Sequence, residues 1–152
     1  MNHIPVSKLP GKLYLGSVYA LDDLQTNRID YVVSLFPPLD YQQVSVEHDQ
    51  YHISDTMQEQ NLIKLNMCLN DINQKIFDRL SQNKNVLVHC FAGISRSATV
   101  VMDFLLTFEF KKESVEHVLA YVRGFRQHIH PNDGFIQLLQ ARHKRSISSS
   151  FS

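Results

Sequence analysis

The 152 residues include no tryptophan, two cysteines, five glycines and five prolines, and neither sign of charge is in excess. Each scarcity removes a class of protein. Two cysteines cannot build the disulfide framework of a small secreted domain, and they suit a reducing compartment where a thiol stays free for chemistry. So few glycines and prolines exclude collagen-like and low-complexity chains. Fifteen basic and fifteen acidic side chains give a formal net charge of +0. No overall field therefore draws the chain to nucleic acid or to an anionic membrane, and any anion site must be local. The longest apolar stretch, Ala98 to Phe110, is interrupted by Asp103 and Glu109 and falls short of the ~20 residues a bilayer span requires. Asn2 stands where myristoylation needs glycine, and the end Ser149-Ser150-Phe151-Ser152 holds no cysteine for prenylation, so no membrane anchor is read. With no apolar leader at the start, the expected location is the cytoplasm, with the nucleus also open to it.

What is present describes one globular unit. Hydrophobic residues make up 43% and aromatic residues 10%, enough for a single core. Lys12 to Gly16 and Ile29 to Leu35 read as strands, the second closed by Pro37-Pro38, with a short helix around Asp22-Asp23-Leu24 between them. Gln43 to Ile53 offers one or two further extended pieces, and the polar stretch Ser54 to Asn61 reads as a loop. Leu65, Leu69, Ile72, Ile76 and Leu80 recur at spacings of three and four, which predicts an amphipathic helix over Leu62 to Leu80 ended by Gln82-Asn83-Lys84-Asn85. Val86-Leu87-Val88 is apolar throughout, as in a strand buried on both faces. Three helices should follow: Ser97 to Phe110, one carrying Val115, Val118, Leu119 and Val122, and one after Pro131-Asn132 with Asn132 as its cap. The cations Arg142-His143-Lys144-Arg145 suit a helix C-terminus. Residues 1–146 are read as the domain and 147–152 as a flexible tail.

Chemistry concentrates in Val88-His89-Cys90-Phe91-Ala92-Gly93-Ile94-Ser95-Arg96-Ser97, a buried strand ending in a cysteine, then a glycine-containing loop that enters a helix. Loop amides from Phe91 to Arg96 can converge on one phosphoryl group, the helix adds its positive end, and Gly93 permits a backbone conformation closed to other residues. Arg96 can fold its planar guanidinium over that cradle and bind two oxygens in parallel. The same amides would stabilise a thiolate at Cys90 and make it a nucleophile. A bare Cys-x5-Arg pair should occur by chance in roughly one chain in ten of this length. Here it coincides with His89, Gly93, Ser97 and an apolar strand upstream.

The run HCFAGISRS resembles the active-site signature of protein tyrosine phosphatases, in the His-Cys-x-x-Gly-x-Ser-Arg-Ser form usual for dual-specificity members. Leu13-Tyr14-Leu15-Gly16-Ser17, Asp55 with Leu62 after it, and Pro131-Asn132-Asp133-Gly134-Phe135 with Gln137-Leu138 resemble the family's other landmarks in order. The resemblance implies a single α/β domain with a central, mostly parallel twisted sheet flanked by helices. It also implies metal-independent hydrolysis of phosphate monoesters through a phosphocysteine, with no cofactor. Cys90 would be the nucleophile, Phe91, Ala92, Gly93, Ile94, Ser95 and Arg96 the phosphate loop, and Asp55 the general acid, with Asp49 its local competitor. His89 would orient the loop from behind, and Ser97 would donate to the Cys90 sulfur. Relatives acting on inositol phospholipids tend to carry basic residues in this loop, which here holds no lysine, so the resemblance implies a phosphoprotein substrate. With no counterpart of the phosphotyrosine-recognition segment of the larger tyrosine-specific enzymes, it implies a shallower site accepting phosphotyrosine and phosphoserine or phosphothreonine. Two alternatives stay open: a non-catalytic phospho-binding module, and a phosphatase acting on RNA or lipid phosphate. Cys68 reads as a core thiol with a redox partnership to Cys90 as its other reading. His128 and His130 resemble half a metal site, and Arg123 and Arg126 either pair with backbone or carboxylates or reach the phosphate rim.

Overall fold

A computed structural model describes residues 1–144. Five strands form one sheet: β1 (Asn2–Ile4), β2 (Leu13–Gly16), β3 (Tyr31–Ser34), β4 (Glu47–Gln50) and β5 (Val86–His89). Their order is β1-β2-β5-β3-β4. Only β1 runs antiparallel to its neighbour; β2, β5, β3 and β4 are parallel. The helices are α1 (Glu59–Ser81), α2 (Arg96–Phe108), α3 (Val115–Arg123) and α4 (Asp133–Arg142), and a 3-10 helix spans Val18–Asp23. The mostly parallel α/β domain expected from the sequence is the one observed.

The central strand explains the layering. Every residue of β5 is buried. Val86 and Val88 join the larger core with the buried faces of α1 and α2, whereas Leu87 joins Val32, Val18, Leu21 and Ile29 on the other side. Successive side chains of a strand point to opposite faces, so one apolar run supplies both layers. In α1 the buried residues include Leu65, Leu69, Ile72, Ile76 and Leu80, the stripe read from the sequence. Each such side chain is worth about 1.5–3 kcal/mol on full burial. Helix α2 is buried from Ser97 through Leu106, because it packs against α1, α3 and α4 as well as the sheet.

Some boundaries differ for local reasons. Helix α1 starts at Glu59, inside the stretch read as loop, where an acidic residue suits the positive helix end. The Asn61 amide donates back to Ser54 O and to Thr56 O at 3.1 Å, which ties that first turn to the preceding loop. Asn83 takes φ 60, the left-handed conformation that stops the helix. Of the extended segment Gln43 to Ile53, only Glu47–Gln50 pairs in the sheet. Strand β1 has no counterpart in the sequence reading, since three residues before Pro5 give no periodic signal. Arg142 and His143 do more than complement a helix end. Both bond to Asp103, which is 0% exposed, with Arg142 Nε 2.9 Å from Oδ1, and Asn73 Nδ2 donates to Oδ2 at 2.7 Å. Burial opposes the Asp103 charge, but the bonds from His143 and Arg142 outweigh it and hold the carboxyl below its usual range. This knot fastens α4 to α1 and α2. The expected tail, 147–152, lies outside the described residues.

Candidate active site

Strand β5 ends at His89, and the chain then runs through Cys90 to Ser95 into α2. What shapes this loop is the fate of its carbonyls. Phe91 O accepts from Val18 N at 2.9 Å and Ile94 O from His130 N at 2.8 Å. Ala92 O and Gly93 O accept from the Arg126 guanidinium at 3.3 and 2.8 Å. All four carbonyls are therefore held from outside. A trans peptide points its N–H opposite to its C=O, so the amides of Ala92, Gly93, Ile94 and Ser95 turn the other way. One of them is seen on its target, with Gly93 N 3.3 Å from Cys90 Sγ. Gly93 has φ 69, and a Cβ there would lie 2.6 Å from both the Gly16 backbone and Arg126. Only glycine fits that position.

Cys90 is 2% exposed, and its sulfur lies 3.1 Å from Ser97 Oγ. Arg96 opens α2, and its Nη1 donates to Ile53 O at 3.1 Å and Leu35 O at 3.5 Å. Its Nε is buried without any hydrogen-bond partner. Burying an unpaired donor is costly, and a guanidinium edge with Nε free is the edge that takes two oxygens of an anion. The Arg96 guanidinium sits 5.4 Å from the Phe36 ring, which also lies 5.1 Å from the ring of Phe91. Phe91 is 44% exposed, so an aromatic wall stands beside the cradle.

The two candidate acids separate clearly. Asp55 Oδ1 accepts from Ser95 Oγ at 2.6 Å and from Asn132 Nδ2 at 2.9 Å, which brings its carboxylate onto the loop. Asp49 is on β4 and bonds Tyr31 Oη at 2.7 Å and Lys75 Nζ at 3.4 Å, a separate ion-pair group. Asn132 also caps α4, with Oδ1 on Phe135 N at 2.9 Å, and its own amide reaches Ser95 Oγ at 3.0 Å. The sequence marked Asn132 as a cap; its second duty on Asp55 was not foreseen.

His89 is wholly buried behind the loop. Its Nδ1 faces Cys90 O at 3.0 Å, and a carbonyl only accepts, so Nδ1 carries the proton. Nε2 is then the acceptor for Ser34 Oγ, which in turn accepts from His48 Nε2 at 2.7 Å. Burial lowers the His89 pKa to about 4, against the Cys90 hydrogen bond that favours the charge. The ring is neutral near pH 7, as that bonding chain demands. The Ser34–His48 extension had no signature in the sequence.

The remaining candidates fall away from the loop. Cys68 is half-buried, and burial pushes its thiol pKa up, the opposite of an activated sulfur. Arg123 donates to Ile129 O at 3.1 Å and lies 3.4 Å from His130 Nδ1. Among the described residues no group of three His, Cys, Asp or Glu is placed to hold a metal ion. None of the described helices is long and apolar enough to cross a membrane.

A parallel sheet whose central strand delivers a cysteine into an amide-lined loop at a helix start is the arrangement of the protein tyrosine phosphatase-like fold. Residues 13–145 match the family described as "Dual specificity phosphatase, catalytic domain", and the chain belongs to that family. It is 32% identical to human dual specificity protein phosphatase 15 over 154 residues, covering 93% of this chain and 50% of that protein. It is 31% identical to rat protein phosphatase Slingshot homolog 3 over 139 residues, covering 88% of this chain and 20% of that protein. The chain thus spans half or less of the length of these relatives. A crystal structure of DUSP15 superposes with a TM-score of 0.76 at 28% identity, covering 98% of this chain and 90% of the other.

Proposed function

We propose that this protein hydrolyses phosphate monoesters on phosphoproteins, both phosphotyrosine and phosphoserine or phosphothreonine, through a phosphocysteine on Cys90. The observation that carries the reading is Arg96: its Nη1 is tied to two carbonyls while its buried Nε has no protein partner. A phosphate oxygen would satisfy that donor, and the inward amides would satisfy the others.

In the first step the Cys90 sulfur attacks phosphorus, the S–P bond forms, and the P–O bond to the substrate breaks. Asp55, as the carboxylic acid, gives its proton to the departing oxygen. Oδ1 of Asp55 already accepts two hydrogen bonds, from Ser95 and Asn132, which leaves Oδ2 to carry that proton. In the second step water attacks phosphorus, the Asp55 carboxylate takes the water's proton, and the S–P bond breaks to release phosphate. Ser97 Oγ, at 3.1 Å from Sγ, donates to the sulfur as negative charge returns to it. Phe36 and Phe91 supply an apolar wall for the substrate side chain, and no lysine of the loop singles out an inositide.

A generic aryl phosphate tests this. Turnover should need no added metal, stop with vanadate, vanish in Cys90→Ser with phosphate affinity kept, and fall by ~10²–10⁴ in Asp55→Ala. Vanadate-sensitive binding without turnover by the unaltered protein would instead mark a phospho-binding module.

A further inference from the structure

Arg126 lies behind the phosphate loop rather than at its rim. Three of its groups are placed: Nε on Gly93 O at 2.8 Å, Nη2 on Ala92 O at 3.3 Å, and Nη1 on Asn2 Oδ1 at 2.8 Å. Among the described residues no carboxylate pairs with it, unlike Lys75, Arg79 and Arg142, each of which has an acidic partner. Burial works against its charge, and the Cys90 sulfur works for it. The peptide unit whose carbonyl Nη2 grips is the same unit whose amide, Gly93 N, lies 3.3 Å from Cys90 Sγ. A cation on the oxygen of a peptide polarises its N–H and adds a positive field along the same line.

We propose that Arg126 is a positioning residue for Cys90, acting through the Ala92–Gly93 peptide unit to favour the ionised sulfur, and that Asn2 of β1 holds it in place without neutralising it. This rests on the reading of Cys90 as a nucleophile, but its consequence is a property of the thiol itself. A neutral partner is the point of Asn2, because a carboxylate there would cancel the field on the loop. It also gives β1 a purpose: the strand that the sequence did not reveal brings the first residues of the chain to the back of the cradle.

The test is the rate of Cys90 alkylation by iodoacetamide against pH, in a Cys68→Ser background where Cys90 is the one thiol left of the two. On the rising limb of the profile, Arg126→Met should react about tenfold more slowly than the parent, the effect of one pH unit of displacement. Arg126→Lys should recover most of that loss. Asn2→Asp should slow the reaction severalfold while leaving the loop contacts of Arg126 in place. A brace without electrostatic effect would change the melting temperature or kcat and leave the limb where it was. If Arg126→Met fails to fold by circular dichroism, Asn2→Asp decides alone. A limb for Asn2→Asp that superimposes on the parent overturns the proposal. Hydrolysis of p-nitrophenyl phosphate by the unaltered protein is followed in parallel. Absent turnover with a displaced limb would sink the phosphatase reading and leave this one standing.

Discussion

His89 makes folding stability depend on pH in a window that few other groups share. Its pKa falls from 6.5 in the unfolded chain to about 4 in the fold, chiefly by burial. Between those values the unfolded chain binds a proton that the folded protein refuses, so stability is fully present above pH 6.5 and is lost as pH falls toward 4. A difference of about 2.5 pKa units corresponds to about 3 kcal/mol, of which roughly 2–3 kcal/mol is lost between pH 7 and pH 4.5. His3 and His48 are also lowered by burial and act in the same direction. Asp103, Asp71 and Glu47 have depressed carboxyl pKa values, so their contributions are present above the ordinary carboxylate range and are lost as pH falls through and below it, from about 4.5 for Glu47 and about 4 for the two aspartates, and they are common to parent and variant. The comparison is therefore between the parent and His89→Gln, a side chain that can still donate to Cys90 O and accept from Ser34. Urea denaturation at pH 7.0, 6.0, 5.0 and 4.5 gives each stability by linear extrapolation. The variant should start lower at pH 7 and lose about 2 kcal/mol less on the way down. Parallel curves for the two proteins would refute the neutral-histidine account.

Three further outcomes follow from the geometry. Gly93→Ala places a Cβ at a positive φ and 2.6 Å from the Gly16 backbone; it should lose about 2 kcal/mol or more in thermal melts and give up protection by orthophosphate. Arg96→Lys keeps the charge but cannot present two parallel donors, and should lower kcat on an aryl phosphate by ~10²–10³ with the fold intact by circular dichroism. Asp103→Ala strips the partner from Arg142 and His143 in a buried knot, and should lower the urea-derived stability by about 3–5 kcal/mol.

The helices and the parallel strands of the sheet were legible because their signals are local, whereas β1 was not. Five apolar residues at helical spacing define α1, and an apolar run between turn formers defines β5. The loop between β5 and α2 was legible because the phosphate-binding chemistry proposed for it needs one contiguous stretch, Cys90 to Ser97. The supports of that loop were not, because they arrive from far along the chain. Val18, His130 and Arg126 hold its carbonyls, Asn132 and Ser95 hold Asp55, and Ser34 with His48 holds His89. None of these residues has a neighbour in sequence that reports its partner. Arg142 and His143 illustrate the same limit: their position suggested a helix end, whereas their partner Asp103 lies 39 and 40 residues away.

Helix α4 connects two of these distant supports. At its start Asn132 grips Asp55 and Ser95; at its end Arg142 and His143 are fastened to Asp103 in the middle of α2. The same α2 begins with Arg96 and carries Ser97 against the Cys90 sulfur. Asp55, Arg96 and Cys90, the proposed proton donor, phosphate clamp and nucleophile, are thus referred to one pair of packed helices, and the placement of Asp55 does not depend on its own exposed loop alone. In the reaction proposed above, an acid that gives a proton in one step and recovers one in the next benefits from such a mounting, because both transfers demand the same position relative to phosphorus. The loop amides are fixed in advance by bonds to the carbonyls on their outer side, so in the proposed reaction charge arriving at a phosphoryl group would meet dipoles that need not reorganise.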